Sequence, residues 1–225
     1  MMPTPRNGYF KKDGSKVPGT TTIIGRFKDS GGLLHWAFEQ GKLAQQGKIL
    51  KLYDKAEEAA DIGTLAHEMV ELYLNGRNPL KALYNAGDKA EKAQLAFDNF
   101  LKWKQQTKIN IISKYQEIQL VSEKYSFGGC PDAIGELDGK LILLDWKTSS
   151  GIYQDYLIQL AAYKHLWEES NPYKPIDGGM YLCRFAKDFP DFSAHFFAEL
   201  DEAWEQFLLF RRAYDIDKQL KKRAK

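Results

Sequence analysis

Two acidic side chains and one ammonium group stand out in the segment GGCPDAIGELDGKLILLDWKTS of this 225-residue chain. In an extended strand alternate side chains share a face. Asp145 and Lys147 therefore leave Leu143-Leu144-Asp145-Trp146-Lys147 on one side, and Trp146 leaves on the other. An acid and a base at the end of an apolar strand are costly unless the place is wet or used. Asp132 opens the preceding run, and Asp138-Gly139 between the two runs is a strong hairpin signal. Each acid lies six residues from the turn, so the hairpin can set them side by side at one end of a sheet. Two adjacent carboxylates repel unless a cation lies between them. Hard oxygen donors favour Mg²⁺ or Mn²⁺ over zinc. Such an ion polarises a phosphoryl oxygen and lowers the pKa of a bound water. Lys147 can orient that water or stabilise charge developing on phosphate. The set suits phosphodiester hydrolysis. A D-x-K tripeptide alone is far more often a structural ion pair; the G-x-x-D…D-x-K arrangement around a hairpin, with a helix behind it, narrows the choice.

The elements that must hold these groups can be read in outline. Tyr9-Phe10, a turn at Asp13-Gly14 and Thr20 to Ile24 read as a small β element. Helices follow at about 33–46, about 55–74, stopped by Asn75-Gly76 and open to interruption at Gly63, and about 88–106. The last places Ala93, Ala96, Phe97, Phe100 and Leu101 along one face. Glu117 to Ser122 reads as a strand, Phe127-Gly128-Gly129 as a turn or bulge, and 132–137 and 141–147 as the hairpin strands. A helix at about 155–169, ended by Asn171-Pro172, precedes strands near 180–185 and 192–200 and a helix from about 202, with a frayed KKRAK tail. The order implies an α/β fold (an α+β sandwich) with a mixed central sheet.

Bulk properties bound the answer. The chain is 44% hydrophobic and 28% charged, enough for a core and a solvated surface. A formal charge of +2 neither supports nor excludes nucleic acid. Two cysteines, Cys130 and Cys183, cannot hold a four-thiolate cluster, and a reduced, intracellular protein is expected. No signal peptide or membrane span is visible. The expected location is the cytoplasm.

The chain resembles the PD-(D/E)xK nuclease superfamily, and specifically its RecB-like exonuclease branch. Pro131-Asp132 and Asp145-Trp146-Lys147 match the signature, with Asp145 where many relatives carry Glu. Gln159 to Tyr163 resembles the branch's QxxxY element, and Gly63 to His67, with Glu71, its G-x-x-x-H helix. Val17 to Ile24 is similar to the lead-in of phage-encoded members. The resemblance implies a restriction-endonuclease-like core with an N-terminal helical elaboration. It implies metal ligation by Asp132, Asp145, the Trp146 backbone carbonyl and His67, the last associated with Mn²⁺ use. It makes Lys147 the catalytic lysine and has Gln159 and Tyr163 orient it or contact the DNA backbone. Thr148 would touch phosphate, and Glu71 and Glu117 would support the site from behind. The iron–sulfur subset is excluded by the cysteine count.

One nuclease domain over residues 1–225 is expected: 1–110 as a β-hairpin and helical part, 111–200 as the catalytic core, 201–225 as a helix and basic tail. The activity implied is a Mg²⁺- or Mn²⁺-dependent exonuclease, with one or two ions, acting on DNA with a free end. Phage or bacterial recombination, repair or processing is the implied setting, with a homo-oligomer or a repair partner possible and no membrane. The alternatives are an endonuclease on the same fold and a non-catalytic DNA-binding or assembly module.

Overall fold

The structure is a computed structural model, described here for residues 8–28, 31–47 and 54–224. Its centre is a five-stranded mixed sheet in the order β3-β6-β7-β8-β9. These strands are β3 (Asn110–Gln116), β6 (Ala133–Leu137), β7 (Lys140–Lys147), β8 (Met180–Phe185) and β9 (Phe192–Phe197). All neighbours run antiparallel except β7 and β8, which are parallel. A parallel pair needs a crossover, and α5 (Gln154–Ser170) supplies it. Two small ribbons flank the sheet: β1 (Tyr9–Phe10) with β2 (Lys16–Val17), and β4 (Leu120–Ser122) with β5 (Phe127–Gly129).

Alternation along β7 sorts two cores. Leu143 enters a cluster with Ile134, Leu182 and the α5 residues Ile158, Ala162, Leu166 and Trp167. Ile23 and Ile24 of α1 (Thr20–Phe27) and Phe207 of α6 (Asp201–Arg223) join it. Ile142, Leu144 and Trp146 point the other way, toward α3 (Asp54–Leu74) and α4 (Ala90–Gln106). There Phe100 is enclosed by Phe97, Trp103, Trp146 and Phe185. Helices thus cover both faces of a mixed sheet, the α/β arrangement expected of a restriction-endonuclease-like core.

Several local expectations need correction. Thr20 to Ile24 is helical, although its β-branched run suggests a strand. Thr20, Ile23 and Ile24 are buried at helical spacing, and packing overrides propensity. α2 (Gly31–Gln45) and α3 fall where expected, and α3 runs through Gly63 without a break. The strand read at 117–122 is extended only over Leu120–Ser122. β3 ends at Gln116, Glu117 takes a left-handed φ of 47°, and β4 begins at Leu120 in a different sheet. β3 itself has a register shift between Ile111 and Gln116, which blurs its alternation. Phe127-Gly128-Gly129 is a strand rather than a turn. A Cβ on Gly128 would come 2.2 Å from the Tyr9 ring, so glycine is what lets this strand pass under β1. The basic tail stays helical to Arg223 instead of fraying.

Candidate active site

The hairpin β6–β7 is built as its turn residues dictate. Asp138 (φ 52°) and Gly139 (φ 78°) adopt the left-handed pair that a two-residue turn requires. Register then runs from Leu137 opposite Lys140 to Ala133 opposite Leu144. One step further lies Asp132 beside Asp145. Asp132 Oδ2 accepts a hydrogen bond of 2.6 Å from the Trp146 backbone N–H, which locks the two strand ends together.

Both acids open into a pocket of about 300 Å³. His67 of α3 places Nδ1 3.4 Å from Asp132 Oδ1, and Lys147 Nζ lies 2.5 Å from Asp145 Oδ2. The pocket is walled by Tyr9, Thr21, Cys130, Tyr156, Gln159 and Tyr163 among others, with Thr148, Ser149 and Lys187 also on its surface. Gln159 and Tyr163, one helical turn apart on α5, bond each other: Gln159 Nε2 donates to Tyr163 Oη at 2.8 Å. Tyr156 puts its ring 5.0 Å from Lys147 Nζ, a cation–π contact that steadies the ammonium.

Glu71 and Glu117 sit outside the pocket lining. Glu117 is not on a strand, but its backbone N–H donates to the Asp132 carbonyl at 3.0 Å. Its carboxyl is pushed up to about 8 by burial and then by the charges of Glu71 and Asp132. The structure therefore brings Asp132, Asp145, Lys147, His67, Thr148, Gln159 and Tyr163 to one pocket and leaves Glu71 and Glu117 behind Asp132. Tyr156 and Lys187 were not visible as site residues in the sequence. Tyr156 had one signal, lying one turn before Gln159 on the same helix; Lys187 had none.

Charge inside the pocket is divided unequally. Asp145 is 1% exposed and Asp132 6%. Burial pushes the Asp145 carboxyl up to about 6, against the pull of Lys147. Burial also acts on Asp132, but His67, Lys147 and the Trp146 N–H outweigh it and hold Asp132 below the ordinary carboxylate range. For Lys147 burial opposes the charge, yet Asp145 and Asp132 win and keep its pKa above the usual lysine value. Lys147 is therefore an ammonium at neutral pH, suited to stabilising negative charge rather than to taking a proton.

The donors fit a hard divalent cation. The two carboxylates and one imidazole on the pocket wall are oxygen-rich with a single nitrogen. His67 Nδ1 is buried with no well-aligned hydrogen bond and so retains coordinating capacity, whereas Asp145 Oδ2 is held by the Lys147 ammonium, which a cation there would have to displace or share. Among the described residues, no three His, Cys, Asp or Glu side chains are already drawn together as a finished metal cluster.

A solved structure titled "Crystal structure of SSO0001" is 16% identical over 80% of this chain and 87% of that one, with a TM-score of 0.32. Its likeness is too loose to bear on the site. No match was found among curated proteins. The model of the PD-(D/E)XK nuclease superfamily, in contrast, matches residues 26–223. A match over most of the chain, with the signature acids and lysine gathered in one pocket, identifies this protein as a member of the PD-(D/E)XK nuclease superfamily.

Proposed function

We propose that this chain is a RecB-like DNA exonuclease that depends on Mg²⁺ or Mn²⁺ and works as one nuclease domain. The observation that carries the reading is the meeting of Asp132, Asp145, Lys147 and His67 in one pocket of a chain from a nuclease superfamily. Asp132, Asp145, the Trp146 carbonyl and His67 would hold the cation. When bound, one or two such ions supply Lewis-acid polarisation of the phosphoryl oxygen and a water of lowered pKa. The chain's own residues do the rest. Lys147, kept charged by Asp145 and Asp132, faces the non-bridging oxygens and stabilises the charge that builds there as water adds to phosphorus. Tyr156 restricts where that ammonium can go, and the Gln159–Tyr163 pair on the same wall would orient it or contact the DNA backbone. The water oxygen forms a P–O bond and gives up a proton to solvent, the bond to the departing sugar oxygen breaks with its electron pair, and that oxygen takes a proton from solvent. A role in phage or bacterial DNA recombination or repair fits the motif set that the sequence carries from 63 to 163.

The deciding experiment is digestion of end-labelled linear DNA and of covalently closed circles, with and without Mg²⁺ or Mn²⁺. Metal-dependent loss of the linear label with circles intact is expected. Lys147→Ala and Asp132→Ala should each reduce the rate by at least about a hundredfold with the circular dichroism spectrum preserved. Nicked or linearised circles would replace the exonuclease by an endonuclease. Undiminished cleavage by either variant would overturn the site.

A further inference from the structure

Lys187 is a second cation of the pocket that the signature motifs do not include. It lies two residues beyond β8, the strand that pairs in parallel with β7 so that Arg184 stands opposite Lys147. The chain beyond β8 therefore leaves the sheet at the same end as the reactive groups. The turn that carries Lys187 is held firmly. Ala186 N–H donates to the Asp191 carbonyl at 3.0 Å, and the fully buried Asn99 donates to the carbonyls of Ala186 (2.8 Å) and Phe189 (3.1 Å).

Electrostatic accounting singles out this lysine. Inside the pocket Lys147 faces Asp145, and Asp132 faces His67. The neighbouring Asp188 is taken by Lys92 at 3.2 Å. Lys187 Nζ reaches only the Thr148 carbonyl, at a long 3.4 Å, and no carboxylate pairs with it among the described residues. Thr148 beside it adds a hydroxyl group to the same rim, whereas the Ser149 hydroxyl donates to the Gly151 carbonyl at 2.7 Å. An ammonium with no paired carboxylate among the described residues, on a clamped turn and against Thr148, the residue that follows Lys147, is a receptor for a phosphate oxygen.

We propose that Lys187, with Thr148, binds the phosphodiester adjacent to the one being cut, and so registers the strand against Asp145 and Lys147. The proposal rests on the nuclease reading. It makes Lys187 a positioning residue: its contact forms with the ground-state strand as well as with the transition state, so it acts on KM more than on kcat.

The test compares wild type with Lys187→Met and Lys187→Arg on two substrates. One is a short single-stranded oligonucleotide; the other is bis(p-nitrophenyl) phosphate, which has one phosphodiester and no neighbour. For Lys187→Met, KM on the oligonucleotide should rise about tenfold with a much smaller change in kcat. Its kcat/KM on the single phosphodiester should fall far less, and Lys187→Arg should recover most of the loss. A parallel binding series uses Asp145→Asn protein, with and without Lys187→Met, in fluorescence anisotropy against salt. The slope of log affinity on log salt should shrink by about 0.7, one phosphate contact on a single strand. Equal losses on both substrates, or unchanged KM and salt slope, would overturn the proposal. If wild type cleaves neither these substrates nor end-labelled linear duplex with any metal, the nuclease reading fails, and the anisotropy series still decides the fate of Lys187.

Discussion

At Asp145 and Lys147, burial and mutual attraction pull in opposite directions, and attraction leaves the lysine charged while burial leaves the acid reluctant to ionise. Replacing Asp145 by Asn removes the anion that faces Lys147 at 2.5 Å. Metal-dependent cleavage should then fall by at least about a hundredfold, and the stranded ammonium should lower stability by a few kcal/mol, roughly the range for breaking a buried pair. A rate assay and a urea melt on the same preparation read the two effects separately. The pH behaviour follows from the same groups. Asp145 and Glu117 bind protons more tightly folded than unfolded, since their carboxyls sit at about 6 and about 8. Their contribution is therefore most favourable below the ordinary carboxyl range and declines as pH rises, for Asp145 up to about 6 and for Glu117 up to about 8. Urea titrations of the metal-free protein should show midpoints that fall between pH 5 and pH 8. A midpoint that climbs over that interval would contradict the assigned environments. Glu117→Gln should flatten the upper part of the trend.

Among the elements, α4 and β7 share the contact that sets Trp146, and with it the strand on which Asp145 and Lys147 ride. Phe100 is fully buried at that contact and touches Trp103, Trp146 and Phe185. Phe100→Ala should cost about 3–5 kcal/mol in a urea melt. Gly128→Ala forces Tyr9 off its strand and should loosen the β1–β2 ribbon from the pocket wall, seen as faster amide exchange at residues 9–17 with the central sheet still protected. What was legible in the sequence divides along this line. The Asp138-Gly139 turn, the stretch from Met180 to Phe185 and the helical stretches near 55–74, 90–106 and 155–169 are written locally, by turn chemistry and periodicity. β3 was missed because its bulge interrupts alternation. Thr20 to Ile24 misled because β-branched residues accept a helix when a long-range face must be filled. Phe127 to Gly129 misled because the glycines answer a ring far away in sequence. The reactive triplet could be read because a hairpin couples its members at short range. Lys187 could not, since only the parallel pairing of β7 with β8 brings it alongside.

For the molecule as a whole, the two cores meet at one sheet, and the pocket lies where that sheet ends. A cation bound there would tie β6 and β7 to α3 through His67, joining elements from both faces. Mn²⁺ should therefore raise the thermal midpoint of the entire protein in one transition. The gain should be larger at pH 8 than at pH 5.5, because the carboxylates must shed protons to ligate. His67→Ala should reduce that gain, which differential scanning calorimetry measures directly. The hairpin also has a far end. Asp138 and Gly139 sit five ladder pairs from the acids, on the order of 20 Å at about 3.3 Å per residue. This tip is a natural port for engineering: a short peptide, a dye-bearing cysteine or new chain termini inserted there would leave the cutting end untouched. The two strands would become a lever through which events at the pocket could be watched from outside.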